Sequence, residues 1–209
     1  MKHRFLMVAT ILLLGSLLPS SSAATNIQSM AYKDLDGQTQ SFQQYDGQHL
    51  VVEAFSTECS HCQDYHPILV DVYGSYKNNI TLLSISINND DTANTVKNFE
   101  ETYSSNWTMG LQSGTSLEDS YNLRGTPTTL MFSPAGDLQA CLVGTQTADA
   151  LSGHLDNYLQ SSNYSFNVED GACTPPTLAQ RFFGSILFPI TAGILVYVLI
   201  KLIGKYTRE

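Results

Sequence analysis

A chain of 209 residues with 43% hydrophobic content can bury one sizeable core, and two domains cut from it would each be small. Its formal net charge of −9, with 10 Lys and Arg against 19 Asp and Glu, argues against a nucleic-acid partner, because phosphate binding needs clustered cations. One globular domain with accessory segments is therefore the expected organisation.

The first 24 residues open with Lys2, His3 and Arg4, continue as an apolar run from Phe5 to Leu18, break at Pro19 and end in Ser22-Ala23-Ala24. This is the architecture of a signal peptide. The alternative is an uncleaved anchor helix, although the run falls short of the ~20 residues that a span needs. In both cases the domain that follows is exported, where cysteines can pair. The triplets at Asn79, Asn106 and Asn163 fit the glycosylation sequon and agree with export.

Ile27 to Leu50 alternates polar and apolar residues around turn signals at Asp36-Gly37 and Asp46-Gly47, which predicts a hairpin or short strand pair serving as scaffold. Leu50-Val51-Val52-Glu53-Ala54-Phe55 then reads as a buried strand. It leads directly into Cys59-Ser60-His61-Cys62 at the start of a helix. That spacing puts both sulfurs at the end of the helix where unpaired backbone N–H groups and the dipole favour a thiolate. Such a pair can cycle between dithiol and disulfide.

Ile80 to Ile87 is β-branched and aliphatic and predicts a second buried strand. Asp91 or Thr92 can cap a helix through Tyr103, whose apolar face is Val96 and Phe99. The succession strand, helix, strand, helix implies right-handed parallel crossovers. Thr128 to Phe132 and Leu138 to Val143, joined through Pro134-Ala135-Gly136-Asp137, predict an antiparallel hairpin, and a last helix spans Thr147 to Leu159.

Residues 161–181 are polar, contain Pro175-Pro176 and predict an extended tether. Residues 182–200 carry no charge and are long enough to cross a bilayer as a helix, with Pro189 tolerated inside it; the alternative is a buried core helix. Lys201, Lys205 and Arg208 follow the span and Arg181 alone precedes it, so the tail at 201–209 is expected in the cytoplasm and the domain at 25–160 outside.

Several of these stretches together resemble the thioredoxin family. They are Val52-Glu53-Ala54-Phe55 with an acid six residues before the first cysteine, the Cys59-Ser60-His61-Cys62 pair, Pro67 five residues after the second cysteine, and Arg124-Gly125-Thr126-Pro127-Thr128. The opening around Asp34-Leu35-Asp36-Gly37 and the polar stretch after Ile87 are most similar to its membrane-associated TlpA/ResA group. The resemblance covers roughly residues 27–160. It implies an α/β thioredoxin fold, a central mixed sheet flanked by helices, here with an N-terminal hairpin extension and a C-terminal transmembrane helix. It also implies a helix running to about Tyr76 through Pro67, which sequence rules alone would break. One position departs from the family: Glu58 stands where a tryptophan usually precedes the first cysteine.

On this reading Cys59, at the exposed edge of the helix, is the attacking thiolate and Cys62, within the first turn, the resolving one. A structural disulfide or half of a zinc site is the plainer reading of a lone Cys-x-x-Cys. His61 can stabilise the Cys59 thiolate when protonated, as in the disulfide isomerase and DsbA types, while Glu58 pulls the other way. Glu53, apolar on both sides, is expected beneath the site exchanging protons with Cys62; the alternative is an edge glutamate facing solvent. Thr126-Pro127 is expected to be a cis-proline segment that binds an incoming peptide. With Cys59 assigned to Cys62, the remaining pairing is a structural disulfide between Cys141 and Cys173; the alternative is a buried free Cys141 and a reactive Cys173.

The function expected is a membrane-anchored, extracytoplasmic thiol-disulfide oxidoreductase that exchanges disulfides with exported proteins through Cys59 and Cys62 and is reset by a membrane redox partner. It would be a single-pass protein of the cell membrane, or of the endoplasmic reticulum membrane in a eukaryote. It needs no bound cofactor and no metal. A second class is an extracytoplasmic copper metallochaperone using Cys59, Cys62 and His66, since His66 lies four residues after Cys62 on one helical face. A third is a tethered binding domain without turnover.

Overall fold

The computed structural model describes residues 25–169 and 171–174. The apolar segments expected at 1–24 and 182–200, the later part of the tether and the tail at 201–209 lie outside the described residues. Among those described, no helix is long and apolar enough to cross a membrane.

Seven strands form one mixed sheet: β1 Ala31–Asp34, β2 Thr39–Ser41, β3 Leu50–Phe55, β4 Thr81–Ser86, β5 Thr108–Ser113, β6 Thr128–Phe132 and β7 Leu138–Val143. Their spatial order is β2-β1-β5-β4-β3-β6-β7. The crossovers between the parallel strands β3, β4 and β5 are helices α1 Ser60–Tyr76 and α2 Ala93–Tyr103, as the alternation of strand and helix requires. Strands β1, β6 and β7 add antiparallel at the flanks. Central β3 is buried at all six positions, which explains why every residue in it but Glu53 is apolar.

The two-residue period of β3 sorts its side chains onto two cores. Leu50, Val52 and Ala54 pack with Leu83, Ile85, Leu130 and Phe132 beneath the N-terminal segment, where Ile27 and Phe42 cover them. Val51 and Phe55 face Cys62, Tyr65 and Leu69 of α1, Val96 and Phe99 of α2, and Leu151 and Leu155 of helix α4, Ala148–Gln160. Glu53 shares the parity of Val51 and Phe55. Its carboxylate therefore points beneath the helix that carries the cysteines, instead of outward from an edge strand.

Helix α1 runs on through Pro67, because Tyr65, Leu69 and Val72 bury one face of it against the sheet. Thr92, with Thr95 bonding back to it, caps α2. The other cap candidate, Asp91, has a different task described below.

Strand β5 and the short helix α3, Leu117–Tyr121, lie where no regular structure was expected. Glycine inside a strand weakens the signal, and Gly110 interrupts Met109 and Leu111. The glycine answers a close approach, since a Cβ there would come within 2.5 Å of the Lys33 carbonyl oxygen of β1. Helix α3 is capped by Ser116 and stopped by Asn122 in the left-handed conformation, φ 53°.

The stretch read as the start of a tether folds back onto the sheet. The Cys141 N–H donates to the Phe166 carbonyl at 2.9 Å and the Phe166 N–H to that of Gln139 at 3.0 Å, covering the free edge of β7. A two-stranded ribbon follows, β8 Val168–Glu169 with β9 Ala172–Cys173. There Cys173 is disulfide-bonded to Cys141, with Cα atoms 5.6 Å apart. The folded unit thus continues past residue 160.

Candidate active site

Strand β3 ends at Phe55, and the loop Ser56 to Glu58 delivers Cys59 to the N-cap of α1. Its extended backbone (φ −76°, ψ 111°) turns the sulfur back over the first turn, where it accepts the Cys62 N–H at 3.3 Å. Cysteine here does what a capping oxygen does elsewhere, and a thiolate is the better acceptor of the two protonation states.

Cys59 and Cys62 are both free thiols, the first half-buried and the second fully buried. Burial pushes the Cys59 thiol up, but hydrogen bonds with Cys62 and Thr126 and from the backbone N–H groups of Cys62 and His61 outweigh it and leave the thiol below its ordinary value. Burial, then the bond to Cys59 and the charge of Glu53, drive the Cys62 thiol far above its ordinary range. One cysteine is therefore ionisable and reachable, and the other is held protonated beneath it.

Glu53 is fully buried. Its cross-strand neighbours are Ser84 on β4 and Thr129 on β6, so a polar row crosses three buried strands under α1. The Ser84 hydroxyl donates to Glu53 Oε2 at 2.5 Å and itself accepts the Trp107 Nε1–H at 2.9 Å. Thr129 shares a hydrogen bond of 3.1 Å with the Tyr65 hydroxyl. Glu53 Oε1 has no partner and is free to take a proton.

Around the rim, the Thr126-Pro127 peptide bond is cis, and the Cys59 thiol donates to the Thr126 carbonyl at 3.5 Å. His61 is exposed and acts on Cys59 through its backbone N–H rather than through a side-chain contact. Asp91 holds the loop before Cys59: it accepts the Thr57 N–H at 3.0 Å, the Thr57 hydroxyl, and the Ser86 hydroxyl at 2.5 Å. An open polar concavity of about 430 Å³ runs from Ser56 and Thr126 past Asn88 and Asp90. A larger one of about 700 Å³ continues from Asn89 and Glu118 to Arg124, and neither has a cysteine in its wall.

His66 does not join the cysteines as a third ligand. Its Nε2 is 2.8 Å from Ser105 Oγ and its Nδ1 is 3.5 Å from Glu53 Oε2, and no cluster of three metal-ligating side chains occurs among the described residues. The copper reading therefore loses the ligand on which it depended.

Cys59, Cys62, Glu53, Thr126 and Pro127 thus meet at one end of β3, with the His61 backbone beside them. Cys141 and Cys173 lie elsewhere, in the core on the opposite face. Sequence reasoning passed over Ser84, Thr129, Ser105 and Trp107, and read Asp91 only as a helix cap. The available signal was a hydroxyl residue inside each apolar strand that flanks β3.

Residues 23–141 match the model of the AhpC/TSA family. The thiol-disulfide oxidoreductase ResA of Bacillus anthracis is 25% identical over 122 residues, 58% of this chain and 70% of the relative. ResA of Bacillus subtilis (strain 168) is 20% identical over 138 residues, 66% and 76% of the two chains. Among solved structures, MTB dsbF in its mixed oxidized and reduced forms superposes with a TM-score of 0.55 at 17% identity, over 66% of this chain and 97% of that one. The secreted Mycobacterium tuberculosis disulfide oxidoreductase homologous to E. coli DsbE does so with a TM-score of 0.53 at 18% identity, over 64% and 96%. With a thioredoxin-like fold and a capped cysteine pair at its centre, the chain belongs to the AhpC/TSA family and is similar to thiol-disulfide oxidoreductases of the ResA and DsbE type.

Proposed function

We propose that this protein is a membrane-anchored, extracytoplasmic thiol-disulfide oxidoreductase that exchanges disulfides with exported proteins through a mixed disulfide on Cys59. The observation that carries this reading is the asymmetry of the pair: Cys59 is half-exposed with a lowered pKa, whereas Cys62 is buried with a raised one. In the reducing direction the Cys59 thiolate attacks a substrate sulfur, and the other substrate sulfur leaves as a thiolate and takes a proton from solvent. Glu53 then accepts the Cys62 proton, and Cys62 attacks Cys59. The Cys59–Cys62 bond forms, the bond to the substrate breaks, and the second substrate sulfur leaves reduced. The oxidising direction is the reverse. Export and anchoring rest on the leader-like residues 1–24 and the uncharged stretch at 182–200, and a membrane redox protein is the natural partner to reset the pair.

The test is trapping. Cys62→Ala should accumulate Cys59-linked mixed disulfides with exported proteins, and Cys59→Ala should accumulate none. Trapping by Cys59→Ala instead would reverse the roles. The potential of the pair gives the direction of flow, near about −120 mV for an oxidase and about −270 mV for a reductase.

A further inference from the structure

In the exchange just proposed, Glu53 takes a proton at a position with no access to water, so the proton needs a way out. Three groups lead away from the carboxylate or its row. Ser84 leads to the indole N–H of Trp107, which releases no proton in this chemistry. Thr129, the register neighbour on the other side, leads to the buried Tyr65 hydroxyl, whose proton burial and the Glu53 charge hold more tightly than usual. His66 leads to the surface. Its ring is fully buried, walled by Phe55, Phe99, Tyr103 and Trp107 at centroid distances of 4.8 to 6.1 Å, and it lies between Glu53 Oε2 and the half-buried Ser105 hydroxyl just beyond α2.

We propose that His66 is the proton outlet of the buried dithiol site, carrying a proton between Glu53 and solvent at Ser105 during thiol-disulfide exchange. An aromatic filler would need no nitrogens, yet this ring directs one at a carboxylate and the other at a surface hydroxyl. Both Glu53 Oε1 and His66 Nδ1 lack a hydrogen-bond partner, so each can receive a proton without breaking a bond already made. The sequence balances. The Cys62 thiol gives its proton to Glu53 as the Cys59–Cys62 bond forms and the substrate thiolate leaves. Glu53 passes a proton to His66 Nδ1, and His66 Nε2–H passes one to Ser105 and water. The Glu53 carboxylate is regenerated and the imidazole is neutral again with its proton on Nδ1; when the pair is reset the same steps run backwards, returning the proton to Cys62 and the Nε2–H tautomer to the ring. The titratable groups facing the path are Glu53 from β3, Cys62 and Tyr65 from α1, and Tyr103 from α2. His66 acts through Glu53 and is a positioning residue for the proton.

This inference rests on the exchange reading above, and the experiment separates the two. Full-length chain is converted to the Cys59–glutathione mixed disulfide with oxidised glutathione, and its resolution by Cys62 is followed from pH 5 to pH 9. His66→Phe, which keeps an aromatic ring in the pocket, should slow resolution at neutral pH about tenfold and move the inflection of the rate upward in pH. Alkylation of Cys59 by iodoacetamide should keep its wild-type pH profile. Ser105→Ala, at a half-buried position, should move the inflection in the same direction by a smaller amount, and it decides the matter if His66→Phe does not fold. An unmoved inflection in the folded variants, or equal slowing of resolution and alkylation, overturns the outlet alone. A wild-type chain that never forms the mixed disulfide overturns the exchange reading and the outlet with it.

Discussion

The two cysteine pairs of this protein lie on opposite faces of one sheet and have opposite chemistry. Cys59 and Cys62 belong to the core under α1 and are free thiols, while Cys141 and Cys173 belong to the other core and are bonded to each other. Both pairs include fully buried sulfur, so burial alone does not separate them. The difference is what surrounds the sulfur. Cys59 caps a helix, takes hydrogen bonds that favour its thiolate, and has a buried carboxylate below its partner. Cys141 sits inside β7 with its backbone engaged by Phe166 and its side chain among leucine and phenylalanine, where nothing stabilises an anion. Reactivity is thus a property of the site's electrostatics rather than of two sulfurs being near each other.

The sharpest way to break the comparison is to remove one sulfur from each pair. Cys59→Ala should abolish exchange activity with the fold intact, at a cost in urea unfolding of no more than about 0.5 to 2 kcal/mol, that of a lost N-cap. Cys141→Ala should do the converse. Its partner lies 32 residues away in sequence, so loss of the cross-link should cost roughly 3 to 4 kcal/mol in urea unfolding, on the chain-entropy account. Exchange by the folded variant should continue. If Cys141→Ala abolished exchange in folded protein, the two pairs would not be separate devices.

A smaller effect is expected from the rim. Asp91→Ala strands the Thr57 N–H and the Thr57 and Ser86 hydroxyls, which should cost about 1 to 3 kcal/mol and loosen the loop that sets the N-cap. Hydrogen exchange at Thr57 and Glu58 should rise more than at β7; uniform change across the sheet would mean that Asp91 supports the fold and not the site.

The smallest effect is a matter of pH. Because the Cys59 pKa is lowered, more of it is thiolate at any given pH than in a free cysteine, so its alkylation rate should reach half-maximum at a lower pH in the folded protein than in denaturant. Cys62, raised by burial, should contribute no second phase in that range. In denaturant both should titrate near about 8.5. A folded-state midpoint at or above that value would remove the distinction between the cysteines.

Much of this was legible in the residues themselves. The apolar run of β3, the cysteine pair after it, the β-branched β4, the cap at Asp91 or Thr92 and the Pro134 to Asp137 turn are local signals, and each marks an element within a residue or two of its observed bounds, whereas the helix through Pro67 was legible only from the family spacing. Local chemistry suffices there because neighbours in sequence are the ones that interact. Strand β5 was not legible, because Gly110 lowers its propensity for a reason that lies on another strand, the Lys33 carbonyl of β1. The fold-back of residues 161–174 was missed similarly, since a polar stretch looks like a tether until an exposed strand edge is there to receive it.

By itself, then, the sequence determined the alternation of strands and helices, the closing hairpin and the cysteine pair at a helix start, because helix caps, strand periods and turn residues act over a few positions, while the thioredoxin-like fold and the acid beneath the pair followed from the resemblance to that family. Only the tertiary structure decided what those groups touch. It set Ser84 against Glu53 by strand register, aimed Asp91 at Thr57 rather than at its helix, and turned His66 away from the cysteines toward Glu53 and Ser105. Each of these contacts spans 13 to 39 positions of chain. A side chain at such a distance finds its partner only once the sheet and the helices above it have been assembled, since packing and register, not local propensity, choose it.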